Sequence, residues 1–160
     1  MILFNRFPGK VIDHTSDING HWLIVITEIN DENFILVCVY GYNERGKNKM
    51  VISDLCKHIT DSMHAYSTNK IIVGGDFNLV PDLWLDRNPP KVKYHKYDDL
   101  LAELMNSANL IDYWRVKNPG SLRFSWFHCI LLLPVLSTSP LLLSPFCMAV
   151  MLLYQSCSES

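Results

Sequence analysis

Lys70-Ile71-Ile72-Val73-Gly74-Gly75-Asp76-Phe77-Asn78 is the stretch on which the fold turns. An apolar, β-branched run ends in two glycines, followed by an acid and an amide two residues apart. Ile71, Ile72 and Val73 read as a short buried strand bounded by a breaker. Paired glycines at its exit let the backbone turn sharply and approach a neighbour closely. If extended geometry persists for a few residues, Asp76 and Asn78 share a face, because side chains alternate along a strand. A carboxylate able to orient water or a hard cation then stands beside an amide able to donate to a phosphate oxygen. The plain alternative is a turn in which the aspartate bonds its own backbone.

Other segments join this one in a consistent order. Cys38-Val39-Tyr40-Gly41-Tyr42-Asn43 closes an earlier apolar run; Leu85-Asp86-Arg87, Leu110-Ile111-Asp112-Tyr113-Trp114-Arg115, Asn118-Pro119 and Arg123-Phe124-Ser125-Trp126-Phe127 follow downstream. Gly74-Gly75-Asp76-Phe77-Asn78 resembles the glycine-aspartate-phenylalanine-asparagine element of the endonuclease/exonuclease/phosphatase superfamily, a group of magnesium-dependent phosphodiesterases and phosphomonoesterases. Tyr40 to Asn43 is similar to that family's strand-end Tyr-x-x-Asn element, with Gly41-Tyr42 in place of the usual small residue and proline. The Leu-Asp-Arg and Asp-Tyr-Trp-Arg segments look most like endonuclease domains of non-LTR (LINE-type) retrotransposons. The resemblance spans residues 1–127.

The total charge gives this reading no help. The chain has 160 residues, 49% of them apolar, and a formal net charge of −2. That length suits one domain with a packed core, but nucleic-acid binders usually show a basic balance or face. Local clusters exist: Arg45, Lys47 and Lys49 follow the Tyr-x-x-Asn element, and Arg87, Lys91, Lys93, His95 and Lys96 surround Pro89-Pro90. Both are candidate phosphate-tracking loops, or simply solvated ones. The five cysteines form no Cys-x-x-Cys pair and are odd in number, which points to neither zinc nor a disulfide framework. Cys38 and Cys56 read as small core residues and the histidines as surface residues.

Periodicity organises the rest. His21 to Ile29 and Asn33 to Tyr40 are β-rich runs around Asn30-Asp31-Glu32-Asn33, a hairpin turn. Gly9 to Asn19 reads as a polar connection, and residues 43–49 as a polar loop. Val51, Leu55, Ile59 and Met63 recur at helical spacing. Residues 79–96 form a long proline-broken loop. A second helix carries Leu100, Leu101, Leu104, Met105 and Ala108, with Asp98 and Asp99 at its start, and Leu122 to Phe127 reads as a last strand.

Hairpin-linked strands with interposed helices predict an α+β fold, and the resemblance implies a two-sheet β-sandwich flanked by helices, here incomplete. Residues 127–154 contain no Asp, Glu, Lys or Arg, while Pro134, Pro140 and Pro145 interrupt them. The expected division is therefore a partial domain over 1–127 and an apolar tail over 128–160 outside the fold. The tail makes a poor membrane span, and no secretory signal is visible. The expected location is nuclear or cytoplasmic, with no oligomer indicated.

The resemblance implies roles for individual residues. Asp76 positions or activates the attacking water, Asn78 contacts the phosphate and supports the metal site, and Tyr40 donates to the phosphate. Asn43 and Ser125 are substrate-side residues. Mg2+ is the implied cofactor and DNA the implied partner. The family's Gln-Glu metal ligand and its closing Ser-Asp-His have no counterpart here, and Glu28 and Glu32 are poor substitutes. The expectation is a fragment of a retrotransposon-type DNA endonuclease domain, inactive as it stands, because losing members of a cooperative site costs several orders of magnitude. A non-catalytic nucleic-acid-binding module and a membrane-tethered interaction protein are the alternatives.

Overall fold

The computed structural model describes residues 7–86, Lys93, residues 98–121 and the backbone of residues 130–134. Three strands open the chain: β1 (Lys10–Ser16), β2 (Trp22–Ile29) and β3 (Glu32–Tyr40). Helix α1 (Arg45–Ala65) leads to β4 (Ile71–Asp76), and α2 (Asp99–Ser107), β5 (Leu110–Asp112), α3 (Tyr113–Lys117) and β6 (Ile130–Pro134) follow. The strands form one sheet in the order β1-β2-β3-β4-β6-β5. Only β3 and β4 run parallel; every other neighbouring pair is antiparallel. The architecture is α+β as expected, with a single sheet among the described residues.

Hairpin β2–β3 is closed by Asn30 and Asp31 alone, both at positive φ (51° and 62°). Two successive left-handed residues are what a two-residue turn needs to match the twist of its strands. Ile29 pairs with Glu32 across it. Trp22, Ile24 and Ile26 of β2 then lie beside Val39, Val37 and Ile35 of β3. With Ile71 and Val73 of β4 they form the buried face on which α1 sets Val51, Ile52, Leu55 and Ile59. Leu100, Leu101 and Leu104 of α2 complete the same core. Val25 and Leu36 are also buried but belong to the opposite face.

Several expectations need correction. The polar connection at residues 9–19 contains β1, an edge strand whose residues are all exposed. It carries no apolar alternation because it buries neither face, and its pairing with β2 alone defines it. The loop expected at 43–49 is largely helix: α1 begins at Arg45, and its charged first turns mask the helical period. The boundary at 127/128 does not hold for Ile130–Pro134, which enter the sheet between β4 and β5. The strand expected at 122–127 lies outside the described residues, as do residues 135–160. Trp114 is half-buried, with the Arg115 guanidinium 4.8 Å from its ring. Cys38 and Cys56 are half-buried too, and burial pushes the Cys56 thiol up. Among the described residues, no helix is long and apolar enough to cross a membrane.

Candidate functional site at the strand ends

The parallel pairing of β3 with β4 brings two strands to their carboxyl ends side by side, the place where open sheets with parallel pairs bind ligands. Tyr40 and Asp76 are register partners there. Each follows a core-facing position, Val39 and Gly75, so both side chains emerge on the opposite face. Tyr40 is 51% exposed and Asp76 is exposed. A phenol donor and a carboxylate acceptor thus stand together, open to solvent, at one end of the sheet.

Two glycines make this junction possible. Gly75 has φ +140°, and a Cβ there would collide with the Val39 backbone. At Gly41 a Cβ would collide with the Phe77 carbonyl and lie 2.7 Å from Asn48 Oδ1. The chains need this closeness to bond: the Gly41 N–H donates to the Asp76 carbonyl at 2.7 Å. From below, Asn48 of α1, fully buried, donates through Nδ2 to the Phe77 carbonyl at 2.8 Å. Phe77 itself is 1% exposed and anchors the turn in the core.

Extended geometry does not persist past Asp76. Asn78 adopts positive φ (47°), and its backbone N–H donates to Asp76 Oδ1 at 2.9 Å. The aspartate-backbone turn weighed as the plain alternative is therefore present, and Asp76 remains exposed within it. Asn78 does not project beside Asp76; its Nδ2 donates to the Gly41 carbonyl at 2.7 Å. One of its two amide protons thus ties the two strand ends together. Asn43 is exposed in the connection into α1. Ser125 lies outside the described residues.

The expected basic loops fare differently. Arg45 is engaged by Asp98, and its other nitrogen lies 3.9 Å from Asp99. Lys47 pairs with Glu44 at 2.9 Å. Of the second loop, only Lys93 is described, and it is exposed. Glu28 pairs with Lys10, and Glu32 with Lys70, at the hairpin end remote from Tyr40.

His21 is the residue that sequence reading missed. It is 8% exposed, not a surface histidine. Its Nδ1 lies 2.6 Å from the Tyr40 carbonyl, its ring is parallel to that of Tyr40 at 6.3 Å, and Tyr42 packs on it at 3.8 Å. An isolated histidine gave no local signal, since its partner stands 19 residues away. The extension of the hairpin register past Trp22 to its neighbour was the one available clue.

Leu85-Asp86 and Asp112-Tyr113-Trp114-Arg115 meet each other rather than the strand ends. The Arg115 guanidinium pairs with Asp86, their side chains 11% and 5% exposed. Asp86 also accepts from the Asp82 N–H at 3.0 Å, while Asp82 Oδ1 accepts from Trp84 and Leu85. Burial pushes the Asp86 carboxyl up, against the pull of the Asp82 N–H and the Arg115 charge. Asp112 caps α3 through the Arg115 N–H, and burial raises it too.

A hard divalent cation needs several oxygen ligands, commonly one or two carboxylates plus water. The strand ends offer Asp76 alone, and the described residues contain no cluster of three or more His, Cys, Asp or Glu side chains able to hold a metal. The residues described do not by themselves make a Mg2+ site.

No protein-family model matches the chain. It is 29% identical over 122 residues to the uncharacterized 149 kDa protein of transposon TX1 from Xenopus laevis. That match covers 76% of this chain and 9% of the transposon protein. Among solved structures, the catalytic domain of human nocturnin with a bound sulfate anion superposes with a TM-score of 0.56 at 13% identity, covering 81% of this chain and 49% of that one. A humanized D. rerio TDP2 gives a TM-score of 0.46 at 15% identity, covering 83% of this chain and 52% of the other. The chain spans about half the length of these solved structures and a small part of the transposon protein.

Proposed function

Because this chain has the fold of the endonuclease/exonuclease/phosphatase superfamily and resembles a transposon-encoded protein, we propose that it is part of a retrotransposon-type phosphodiesterase domain acting on DNA. The register pairing of Tyr40 with Asp76 at the exposed ends of β3 and β4 is the observation that carries this reading. A phenol at that position donates to a non-bridging phosphate oxygen, where added negative charge in the transition state strengthens the bond. A carboxylate beside it accepts a proton from water and aligns the oxygen lone pair. Asn78 keeps the two strand ends at fixed separation through Gly41 and retains one amide proton for substrate. Asn43, exposed in the connection into α1, is assigned to the flanking backbone in this reading.

Mg2+ dependence belongs to the parent activity in this proposal. In this reading the chain contributes Tyr40, Asp76 and Asn78 to the phosphate-binding part of such a domain, and duplex binding is the activity expected of it. Its place of action in this reading is the nucleus or the cytoplasm. A basic binding module is less favoured, because Arg45 and Lys47 are already engaged by Asp98 and Glu44.

Fluorescence binding of a short DNA duplex, with and without Mg2+, tests the reading. Plasmid nicking runs in parallel. A carboxylate repels phosphate unless a cation stands between them. Without metal, Asp76→Asn is expected to tighten binding several-fold; with Mg2+ that gain should shrink or reverse. Equal affinity of Asp76→Asn, Tyr40→Phe and the natural sequence in both conditions would sink the assignment. Mg2+-dependent nicking abolished by Asp76→Ala would show instead that the chain is catalytically complete.

A further inference from the structure

We propose that His21 is a positioning residue of the strand-end site, a backbone clamp that sets the direction of the Tyr40 phenol. This inference rests on the reading of Tyr40 as a phosphate donor and adds to it a residue at the entry to a third strand.

Tyr40 is the last residue of β3, where sheet pairing with β4 gives out and a side chain would otherwise swing with its backbone. His21 holds it at both ends of its peptide groups. The Tyr40 N–H donates to the His21 carbonyl at 2.7 Å. The Tyr40 carbonyl lies 2.6 Å from His21 Nδ1. A carbonyl oxygen only accepts, so Nδ1 must carry the proton, and the neutral ring presents a lone pair at Nε2. The histidine is itself anchored: its backbone N–H donates to Asp17 Oδ2 at 3.1 Å, and the Tyr42 ring packs against its own.

Burial makes the clamp firm. His21 is 8% exposed, so water competes poorly for Nδ1, while the phenol it serves is 51% exposed. A buried group making bonds to a neighbour's backbone, next to an exposed group of the same strand end, separates holding from contacting. His21, directly before β2, thus forms a row with Tyr40 at the end of β3 and Asp76 at the end of β4. The first steers the second, and the second and third face the ligand.

The chemistry yields a direct test. Neutral histidine in water favours the Nε2–H tautomer, whereas the clamp requires Nδ1–H. Two-bond 1H–15N spectra of the full chain at about pH 8, above the ordinary imidazole range, are expected to show His21 protonated at Nδ1. His21→Asn keeps an N–H donor at the δ position, and His21→Gln moves it to the ε position. Duplex binding should stay within about twofold for His21→Asn and weaken about fivefold to tenfold for His21→Gln, the scale of one hydrogen bond. Tyr40→Phe should weaken binding of the natural sequence but add little in the His21→Gln background, since coupled residues are non-additive.

An Nε2–H tautomer overturns the clamp, and so do additive losses or equal losses for His21→Asn and His21→Gln. If the natural sequence binds no duplex, the functional reading fails, and the tautomer with the Tyr40 ring-carbon shifts in His21→Gln decides the clamp alone. Unmoved shifts would then overturn it.

Discussion

Asp76 stands exposed at the end of β4, its carboxylate bonded among the described residues to the Asn78 N–H of its own turn, whereas Asp82, Asp86, Asp98 and Asp112 are each buried to 8% exposure or less. The buried four do structural work. Asp98 caps α2 through the Leu100 N–H and holds Arg45, Asp112 caps α3, and Asp82 and Asp86 bind the 81–86 turn to Arg115. At least one oxygen of each accepts from a backbone N–H, Asp86 and Asp98 also hold a guanidinium, and burial keeps solvent from all four. Asp76 has capacity left over and solvent beside it. A carboxylate in a motif is informative about chemistry only when its own fold has not already used it.

The sharpest way to break this contrast lies at the junction beneath Asp76. Gly75→Ala places a side chain at φ +140° and against Val39; a loss on the order of 4 kcal/mol is expected, read as failure to give a cooperative melt. Next comes the buried pair. Asp86→Ala leaves Arg115 charged, buried and unpaired, and should cost about 3 kcal/mol by urea denaturation. Arg115→Ala should cost a similar amount, with the double variant well short of the sum.

Loss of the α2 cap is smaller. Asp98→Ala removes the Leu100 bond and the Arg45 partner, for about 1–2 kcal/mol. Asp112→Asn probes pH. Burial raises the folded-state carboxyl of Asp112 above its unfolded value, so the stability tied to its protonated form is full below the ordinary carboxylate range and lost as pH rises through the raised value. Asparagine keeps the cap and carries no charge. The variant should therefore match the natural sequence at low pH and gain relative to it toward neutral; a constant difference across the range would refute the assignment. Smallest of all is Asp76→Asn, within about 0.5 kcal/mol in stability, because the residue serves no packing role. A large destabilisation there would erase the distinction between the two groups of acids.

Much of the scaffold was legible. The β2–β3 hairpin follows from two apolar runs and an Asn-Asp turn, α1 from its four-residue spacing, and β4 from a β-branched run with glycines at its exit. The pairing of Tyr40 with Asp76 comes from the parallel register of β3 and β4, which neither motif carries on its own. What eluded reading was β1, whose residues bury nothing, and the first turns of α1, where charged side chains interrupt the apolar period. Asn48 was invisible for a related reason: a buried amide in a polar stretch looks like solvent-facing sequence until the Phe77 carbonyl is seen above it.

By itself the sequence determined what is local: where strands and helices run, where the chain must turn, and which residue types gather near one phosphodiesterase-like motif. Only the tertiary structure decided which of those groups are still available. It spent Arg45 on Asp98 and Arg115 on Asp86, turned Asn78 back onto Gly41, and drew His21 in beside Tyr40. The physical reason is that a hydrogen bond or ion pair between residues far apart in the chain leaves no periodicity behind. Its partners become known only when the strands have been laid in register.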